Sequence, residues 1–133
     1  MSVSRRQLLW LGAAGAAGTA GCSPALVRHA GAERPRFDMG IASGQPHAAG
    51  MVLWTRLTGA DLPDQVPVQW ELAEDDAFRR VVARGTETAV AADAHSVHAE
   101  PAGLQPAREY WYRFMALGQR SAAGRTRTAP AAG

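Results

Sequence analysis

Hydrophobic and polar residues alternate in short runs from residue 36 onward, with turn-forming residues between the runs. In the clearest run, the apolar residues Val66, Val68, Trp70 and Leu72 occupy every second position. A period of two is typical of a β-strand with one buried side and one solvent-facing side. No window shows the apolar spacing of an amphipathic helix of useful length, so the predicted fold class is all-β.

Seven such runs between residues 36 and 130 are predicted to form strands. They are Phe37–Ile41, Gly50–Leu57, Val66–Leu72, Val81–Val90, Ser96–Ala99, Tyr110–Leu117 and Ser121–Thr128. The segment Ser43-Gly44-Gln45-Pro46 is expected to be a turn that ends the first strand, and Glu74–Phe78 a turn with Phe78 as a plug. Short strands separated by turns in this way favour an immunoglobulin-like or fibronectin type III-like β-sandwich.

Two sequence features strengthen the prediction of such a sandwich. Trp70 lies on the third predicted strand, where immunoglobulin-like domains carry a buried tryptophan. The segment Leu104-x-Pro106-x-x-x-Tyr110 leads into the sixth predicted strand, where a tyrosine corner is found. We therefore expect Tyr110 to bury its ring and to hydrogen-bond the backbone a few residues upstream.

Residues 1–22 have the pattern of an export signal. Arg5 and Arg6 follow Ser4, and an uncharged segment rich in Ala and Gly begins at Leu8 and Leu9. That segment is too short and too weakly apolar to span a bilayer well. The paired arginines resemble a twin-arginine signal, so the mature protein is expected to be periplasmic, secreted or anchored to a membrane as a lipoprotein.

Cys22 is the single cysteine of the chain, so no disulfide can form within it. It follows Ala20 and Gly21, as the lipidated cysteine of a lipoprotein does, although Thr19 departs from that pattern. Two interpretations stay open: lipid attachment at Cys22, or cleavage near Ala20 that leaves an ordinary cysteine. Residues 23–35 lack any periodicity and are expected to form a flexible tether.

The charge balance gives no support for a nucleic-acid partner. The chain has 14 basic residues, all of them Arg, and 12 acidic residues. Without Arg5 and Arg6 these charges are balanced, whereas binding to nucleic acid needs a clustered basic face. Contact with a membrane is expected only through a lipid anchor or during export.

Five sequence blocks, together with the twin-arginine signal, resemble the N-terminal domain of PhoD-type alkaline phosphatases. They are Gly40–Pro46, Val52–Leu57 with Trp54 at its centre, Val68–Glu71, Gly103–Tyr110 and Gly124–Pro130. Gln45 stands where the family usually has Asp. The blocks occur in the family's order and cover nearly the whole chain, which makes the resemblance specific.

The resemblance implies a structural module at residues 36–130. In the family this module precedes a calcineurin-like metallophosphoesterase domain, which binds iron and calcium and hydrolyses phosphate esters outside the cytoplasm. Residues 131–133 are expected to begin the linker to that domain, which is absent here and would be the partner in cis or in trans. We expect no catalytic residue and no cofactor in this chain. The alternative is a stand-alone surface module that binds a protein or a glycan without catalysis.

Several polar residues allow a chemical interpretation and a structural one. Asp93-Ala94-His95 matches the start of a metallophosphoesterase site, but the segments that supply the other ligands are missing, so we expect a coincidence. His95 and His98 would project to opposite faces of a strand. Ser43 is expected to bond its own backbone in a turn rather than to act as a nucleophile.

Two further charged groups are assigned structural roles. Glu74, Asp75 and Asp76 are expected to form a solvated turn, because no loop spacing completes a calcium site. Arg125 and Arg127 share one face of the last predicted strand. They are expected to discourage the addition of another strand at the edge of the sheet.

Apolar residues outside the predicted inward sets indicate a covering partner. On the second predicted strand, Met51, Leu53 and Leu57 lie opposite Val52 and Trp54, which are taken as the inward residues. On the sixth, Trp111 and Met115 lie opposite the predicted inward set, which is Tyr110, Tyr112, Phe114 and Ala116. Since a sandwich strand needs only one apolar side, part of this surface is predicted to dock the phosphatase domain. Scattered exposed apolar residues are the ordinary alternative.

Overall fold

A computed structural model describes residues 36–133, which contain eight strands and one short 3-10 turn. The strands are β1 (Ile41–His47), β2 (Gly50–Arg56), β3 (Gln65–Ala73), β4 (Val81–Val90), β5 (Ser96–Ala99), β6 (Glu109–Ala116), β7 (Gln119–Arg120) and β8 (Gly124–Arg127). The 3-10 turn, Ala91–Asp93, connects β4 to β5. The predicted export signal and tether, residues 1–35, lie outside the described residues.

The strands pair antiparallel in two sheets. One sheet has the order β1-β2-β5 and the other β4-β3-β6-β7, with β8 also paired to β6. The chain changes sheet between β2 and β3, between β4 and β5 and again between β5 and β6. An all-β fold and a β-sandwich are therefore confirmed, while the immunoglobulin or fibronectin type III type stays a prediction. Within residues 36–133, no helix is long and apolar enough to cross a membrane.

The hydrophobic core lies between the two sheets and is built from alternate residues of the strands. Its members are Met51, Leu53, Leu57, Val66, Val68, Trp70, Leu72, Ala89, Val97, Ala99, Leu104, Tyr110, Tyr112, Phe114 and Ala116. In β3 and β6 the buried residues are the ones that the alternation predicts. The core is therefore continuous through the central strands of the larger sheet.

The side of β2 that faces the core was predicted wrongly. Met51, Leu53 and Leu57 are buried in the core, whereas Val52 and Trp54 lie half-buried on the outer face. Both sides of β2 are apolar, so alternation alone does not identify the inner side. The pairing with β5 decides it, because Leu53 lies opposite the buried Ala99.

The first and last predicted strands also differ from the structure. β1 continues through Ser43-Gly44-Gln45-Pro46, the segment predicted to be a turn. It pairs with β2 as far as Gly44 opposite Val52, and the register then shifts before His47, with Gln45 at a φ of 48°. A bulge of this kind accommodates proline in an edge strand. The predicted seventh strand is divided into β7 and β8.

The tyrosine corner is present at the entry to β6. Tyr110 is buried, and its hydroxyl accepts a 3.0 Å hydrogen bond from the backbone N–H of Gln105. Thr128, just after β8, completes the arrangement: its hydroxyl donates to the Gln105 carbonyl at 2.6 Å and accepts from the Arg108 N–H at 3.0 Å. Leu104 is buried beside the corner, and Pro106 lies exposed in its loop.

Two aromatic rings of the core lie directly over glycines of neighbouring strands. A Cβ atom at Gly85 would lie 2.6 Å from the Trp70 ring, and one at Gly124 would lie 2.5 Å from the Tyr112 ring. Any larger residue at these positions would displace the ring. The Trp70 Nε1–H points to Glu87 Oε1 at 3.4 Å, which gives its polar end a partner.

The Tyr112 hydroxyl lies where β1 and β8 approach each other. Burial raises the pKa of this phenol above its ordinary value of 10.0, and a hydrogen bond with the Ser43 side chain opposes that shift in part. The phenol is therefore protonated in the folded protein at a pH where it would ionise in the unfolded chain. Burial changes the pKa more than the hydrogen bond does, so folding favours the protonated, uncharged phenol.

Replacing Tyr110 by Phe is expected to lower the free energy of unfolding by about 1 kcal/mol, because the Gln105 N–H loses its partner in the corner. Urea unfolding at neutral pH measures this loss. Tyr112→Phe is the matched control, since it removes a hydroxyl that bonds the exposed Ser43 side chain. Equal losses in the two variants would contradict the role assigned to the corner.

The raised pKa of Tyr112 makes stability depend on alkaline pH. Above the ordinary pKa of 10.0 the unfolded chain has lost this proton and the folded chain has kept it, so stability falls as pH rises. We expect the urea midpoint to decrease more between pH 8 and about pH 10.5 in the unchanged protein than in Tyr112→Phe. Any contribution of Tyr110 is the same in both proteins and cancels from the comparison. An equal decrease of the urea midpoint in the two proteins would refute the raised pKa of Tyr112.

Candidate functional surface

The residues that resemble the start of a metallophosphoesterase site are used by the fold. Ala94 and His95 have positive φ angles of 54° and 56° and turn the chain into β5. The His95 Nε2 atom lies 2.8 Å from the Pro63 carbonyl oxygen, close enough for a ring N–H to donate to it. His98 lies exposed on β5 opposite Trp54. Among residues 36–133, no group of three His, Cys, Asp or Glu is placed to hold a metal ion.

Ser43 lies within β1, so the prediction of a turn serine that bonds its own backbone is wrong. Its side chain hydrogen-bonds the Tyr112 phenol. A tyrosine phenol is protonated at neutral pH, and burial raises the pKa of Tyr112 further, so Tyr112 is not a base for Ser43. The arrangement therefore joins β1 to the other sheet and does not form a nucleophile.

The acidic segment after β3 forms a turn, as predicted, in which Asp76 is exposed but Glu74 is not solvated. Glu74 is largely buried and pairs with Arg80 at 2.5 Å and with Arg108 at 3.0 Å, which ties this loop to the tyrosine corner. Asp75 accepts backbone N–H bonds from Arg79 and Arg80 at 3.1 and 2.8 Å. These bonds, chiefly the one from Arg79, lower the pKa of the exposed Asp75 carboxyl. Both carboxylates are thus engaged by partners within the loop and the corner.

The outer face of the larger sheet is held together by charge and stacking. The Arg113 guanidinium lies 3.9 Å from the centre of the Phe78 ring and donates to Glu71 Oε2 at 2.8 and 3.0 Å. Phe78, predicted to plug the core, is instead half-buried against this arginine. Trp111 and Met115 flank Arg113 along β6 and are also half-buried. The apolar residues of this face are therefore separated by an ion pair.

The outer face of the smaller sheet is less polar than that of the larger sheet. Trp54 lies at its centre, between Ala42 of β1 and His98 of β5, and Val52 lies opposite Gly44. The partners on β1 are small, so they cover little of either apolar side chain. Trp54 and Val52 thus form a short apolar strip that continues to the edge of the sheet at β1.

Arg125 and Arg127 lie on β8, which forms an edge of the larger sheet. Both are exposed, and Arg125 approaches Glu109 of β6 at 3.9 Å. An exposed ion pair of this length contributes little to stability. Charged residues at such a position oppose pairing with another strand, and this role of the two arginines stays a prediction.

The geometry supports recognition through surfaces better than chemistry at a cleft. Ser43 lies on β1 and His95 lies just before β5, where its ring contacts the Pro63 carbonyl oxygen. The surface that sequence reasoning missed is β1, because its Gly and Pro residues indicate a turn. The role of Thr128 in the tyrosine corner was also missed. Its position in the Gly124–Pro130 block, which matches the family, could have indicated that role.

Comparison with known proteins identifies the family of this domain. A family model described as the N-terminal domain of PhoD-like phosphatases matches residues 21–130. Alkaline phosphatase D of Bacillus subtilis is 48% identical over 103 residues, which are 73% of this chain and 18% of that protein. A solved structure of PhoD superposes with a TM-score of 0.70 at 45% identity, covering 72% of this chain and 20% of that one.

A more distant structure shares the fold alone. The sensor domain of the anti-sigma factor RsgI4 from Pseudobacteroides cellulosolvens superposes with a TM-score of 0.52 at 11% identity, covering 69% of this chain and 93% of that one. The chain spans about a fifth of the length of the PhoD-like relatives that it matches. With the family model covering most of the chain, the protein belongs to the PhoD-like phosphatase N-terminal domain family.

Proposed function

We propose that this chain is the exported N-terminal module of a PhoD-like alkaline phosphatase and that it supports a metallophosphoesterase domain. The observation that carries the proposal is the 48% identity to alkaline phosphatase D over a region that makes up 18% of that protein. Hydrolysis of phosphate esters, and the iron and calcium that it requires, are assigned to the part of the enzyme that this region does not cover.

The backbone at residues 128 and 129 is held by hydrogen bonds, which supports the proposal. Ala129 donates its N–H to the His47 carbonyl at 3.1 Å and accepts from the Ala107 N–H at 3.0 Å. Thr128 is buried and donates its backbone N–H to the Arg108 carbonyl at 3.0 Å. The backbone is thus bonded to parts of both sheets until four residues before Gly133, so a domain joined there starts from a fixed point.

A chimera tests the supporting role. Residues 36–133 replace the matching region of B. subtilis alkaline phosphatase D, and a second protein lacks that region altogether. We expect the chimera to hydrolyse a phosphate ester and the deleted protein to lose activity or to unfold at a lower temperature. The chain alone, supplied with iron and calcium, is expected to be inactive.

Two results would overturn this function. One is metal-dependent hydrolysis by the chain alone, which would place the chemistry within it. The other is a phosphatase without the module that has the same activity and unfolding temperature as the chimera. The module would then make no contribution to the activity or stability of the enzyme.

We also propose that residues 1–22 direct export and that Cys22 receives a lipid. The pattern that supports export is the pair Arg5 and Arg6 before the apolar segment at Leu8 and Leu9. The apolar segment is too short to anchor the chain by itself, so stable membrane attachment would depend on the lipid.

Conservative substitutions test the export signal. Replacing Arg5 and Arg6 together by Lys keeps the charge, and we expect it to retain the protein in the cytoplasm if the arginine pair is read specifically. Arg34→Lys is the matched control and should be exported. Cys22→Ser is expected to release the protein from the membrane fraction. Normal export of the double variant would exclude the twin-arginine pathway.

A further inference from the structure

β1 is a long edge strand that the described residues leave uncovered. Its seven residues pair with β2 on one side. On the other side, within residues 36–133, the His47 carbonyl accepts a backbone bond from the Ala129 N–H and the rest of the strand has no backbone partner. Every residue from Ala42 to His47 is exposed. An edge strand with free N–H and C=O groups is a template for pairing with another chain. Some feature of the protein is therefore expected to protect or use this edge.

The other edge strands of the two sheets carry charges or are short, whereas the first half of β1 is neither charged nor interrupted. β4 includes Arg84 and Glu87, and β8 includes Arg125 and Arg127. β5 has only four residues. From Ile41 to Gly44, by contrast, β1 is uncharged, and its proline and bulge lie only at the far end. Natural sheets usually carry charges, bulges or a covering segment at such an edge.

The small residues of β1 permit a close approach of another backbone. A Cβ atom at Gly44 would have no heavy atom within 4 Å, which shows how open this position is. Ala42 and Gly44 lie beside the half-buried Trp54 and Val52 of the outer face. A segment placed along β1 would therefore gain both backbone hydrogen bonds and apolar contact with Trp54 and Val52.

The position of the Ala129 backbone favours an occupant that follows the module in the chain. The Ala129 N–H bonds the carbonyl of His47, the last residue of β1, so a chain that continues past Gly133 starts beside this edge. The match covers only 20% of PhoD, so four-fifths of such an enzyme remains to be placed. A covering segment encoded after the module needs no long connection to reach β1.

We propose that the free edge of β1, with the adjoining strip of Trp54 and Val52, docks the part of a PhoD-like phosphatase that follows this module. This inference rests on the proposed function and names the surface that performs it. Docking there covers the unprotected edge and fixes the orientation of the following domain. The outer face of the larger sheet, with its Arg113–Glu71 pair, takes no part in this docking.

Amide hydrogen exchange in the same chimera tests the proposal without any substitution. The peptide covering residues 41–47 is expected to exchange at least about tenfold more slowly in the chimera than in the chain alone, because its free N–H groups gain partners. The peptide covering residues 81–90 is the internal control, since β4 is an edge strand of the other sheet. Its exchange should be unchanged.

Arginine substitutions provide a second test. Gly44→Arg and Ala42→Arg place a long charged side chain on the proposed surface, where the isolated domain has room for it. Each is expected to return residues 41–47 of the chimera to fast exchange. Val82→Arg, at a position 45% exposed on β4, is the matched control and should leave the exchange of residues 41–47 slow.

The outcomes separate the two proposals. An active chimera in which residues 41–47 exchange as fast as in the chain alone would overturn the docking surface and leave the supporting function intact. Slow exchange that survives both arginine substitutions would also overturn it. An inactive or unfolded chimera would overturn both proposals.

Discussion

The arrangement around Tyr110 is the interaction on which the rest of the structure depends. Its hydroxyl accepts the N–H of Gln105, and Thr128 bonds the Gln105 carbonyl and both backbone groups of Arg108. These bonds join the loop before β6 to the segment after β8. Since β6 pairs with β3, β7 and β8, the corner sets the position of the central strand of the larger sheet.

The same corner connects the core to the surface where function is proposed. Thr128 holds the chain at the end of β8, and Ala129 then bonds the carbonyl of His47 on β1. The edge strand and the exit of the domain are thereby placed side by side. This closeness is a consequence of the sandwich, in which β1 and β8 are edge strands of opposite sheets.

Sequence patterns predicted the strands best where one side alone is apolar. β3 was predicted with the correct inward residues, because its outer side carries Gln65, Gln69 and Glu71. β6 was also predicted correctly: Glu109 and Arg113 mark its outer side, although Trp111 and Met115 lie there too. In β2 both sides are apolar, and the inner side was assigned wrongly. In β1 the residues Gly44 and Pro46 indicate a turn, yet a strand at the edge of a sheet tolerates both.

The candidate surface was harder to predict than the fold. Trp54 was singled out as a marker, but its place on an uncovered outer face depends on the pairing of β2 with β5. The ion pair of Arg113 with Glu71 joins residues 42 positions apart and follows from the register of β3 against β6. Contacts of this kind depend on which strands are neighbours, and local patterns do not report that.

The sequence by itself determined the all-β class, the corner and the family, because each depends on local alternation or on short ordered motifs. The tertiary structure alone decided which side of β2 is buried, that β1 is a strand, and that its free edge lies beside the exit of the chain. Those features arise from the pairing of distant segments. A residue's neighbours in the chain favour a local conformation, but the strands it pairs with and the sheet opposite decide whether that conformation forms and which face meets solvent.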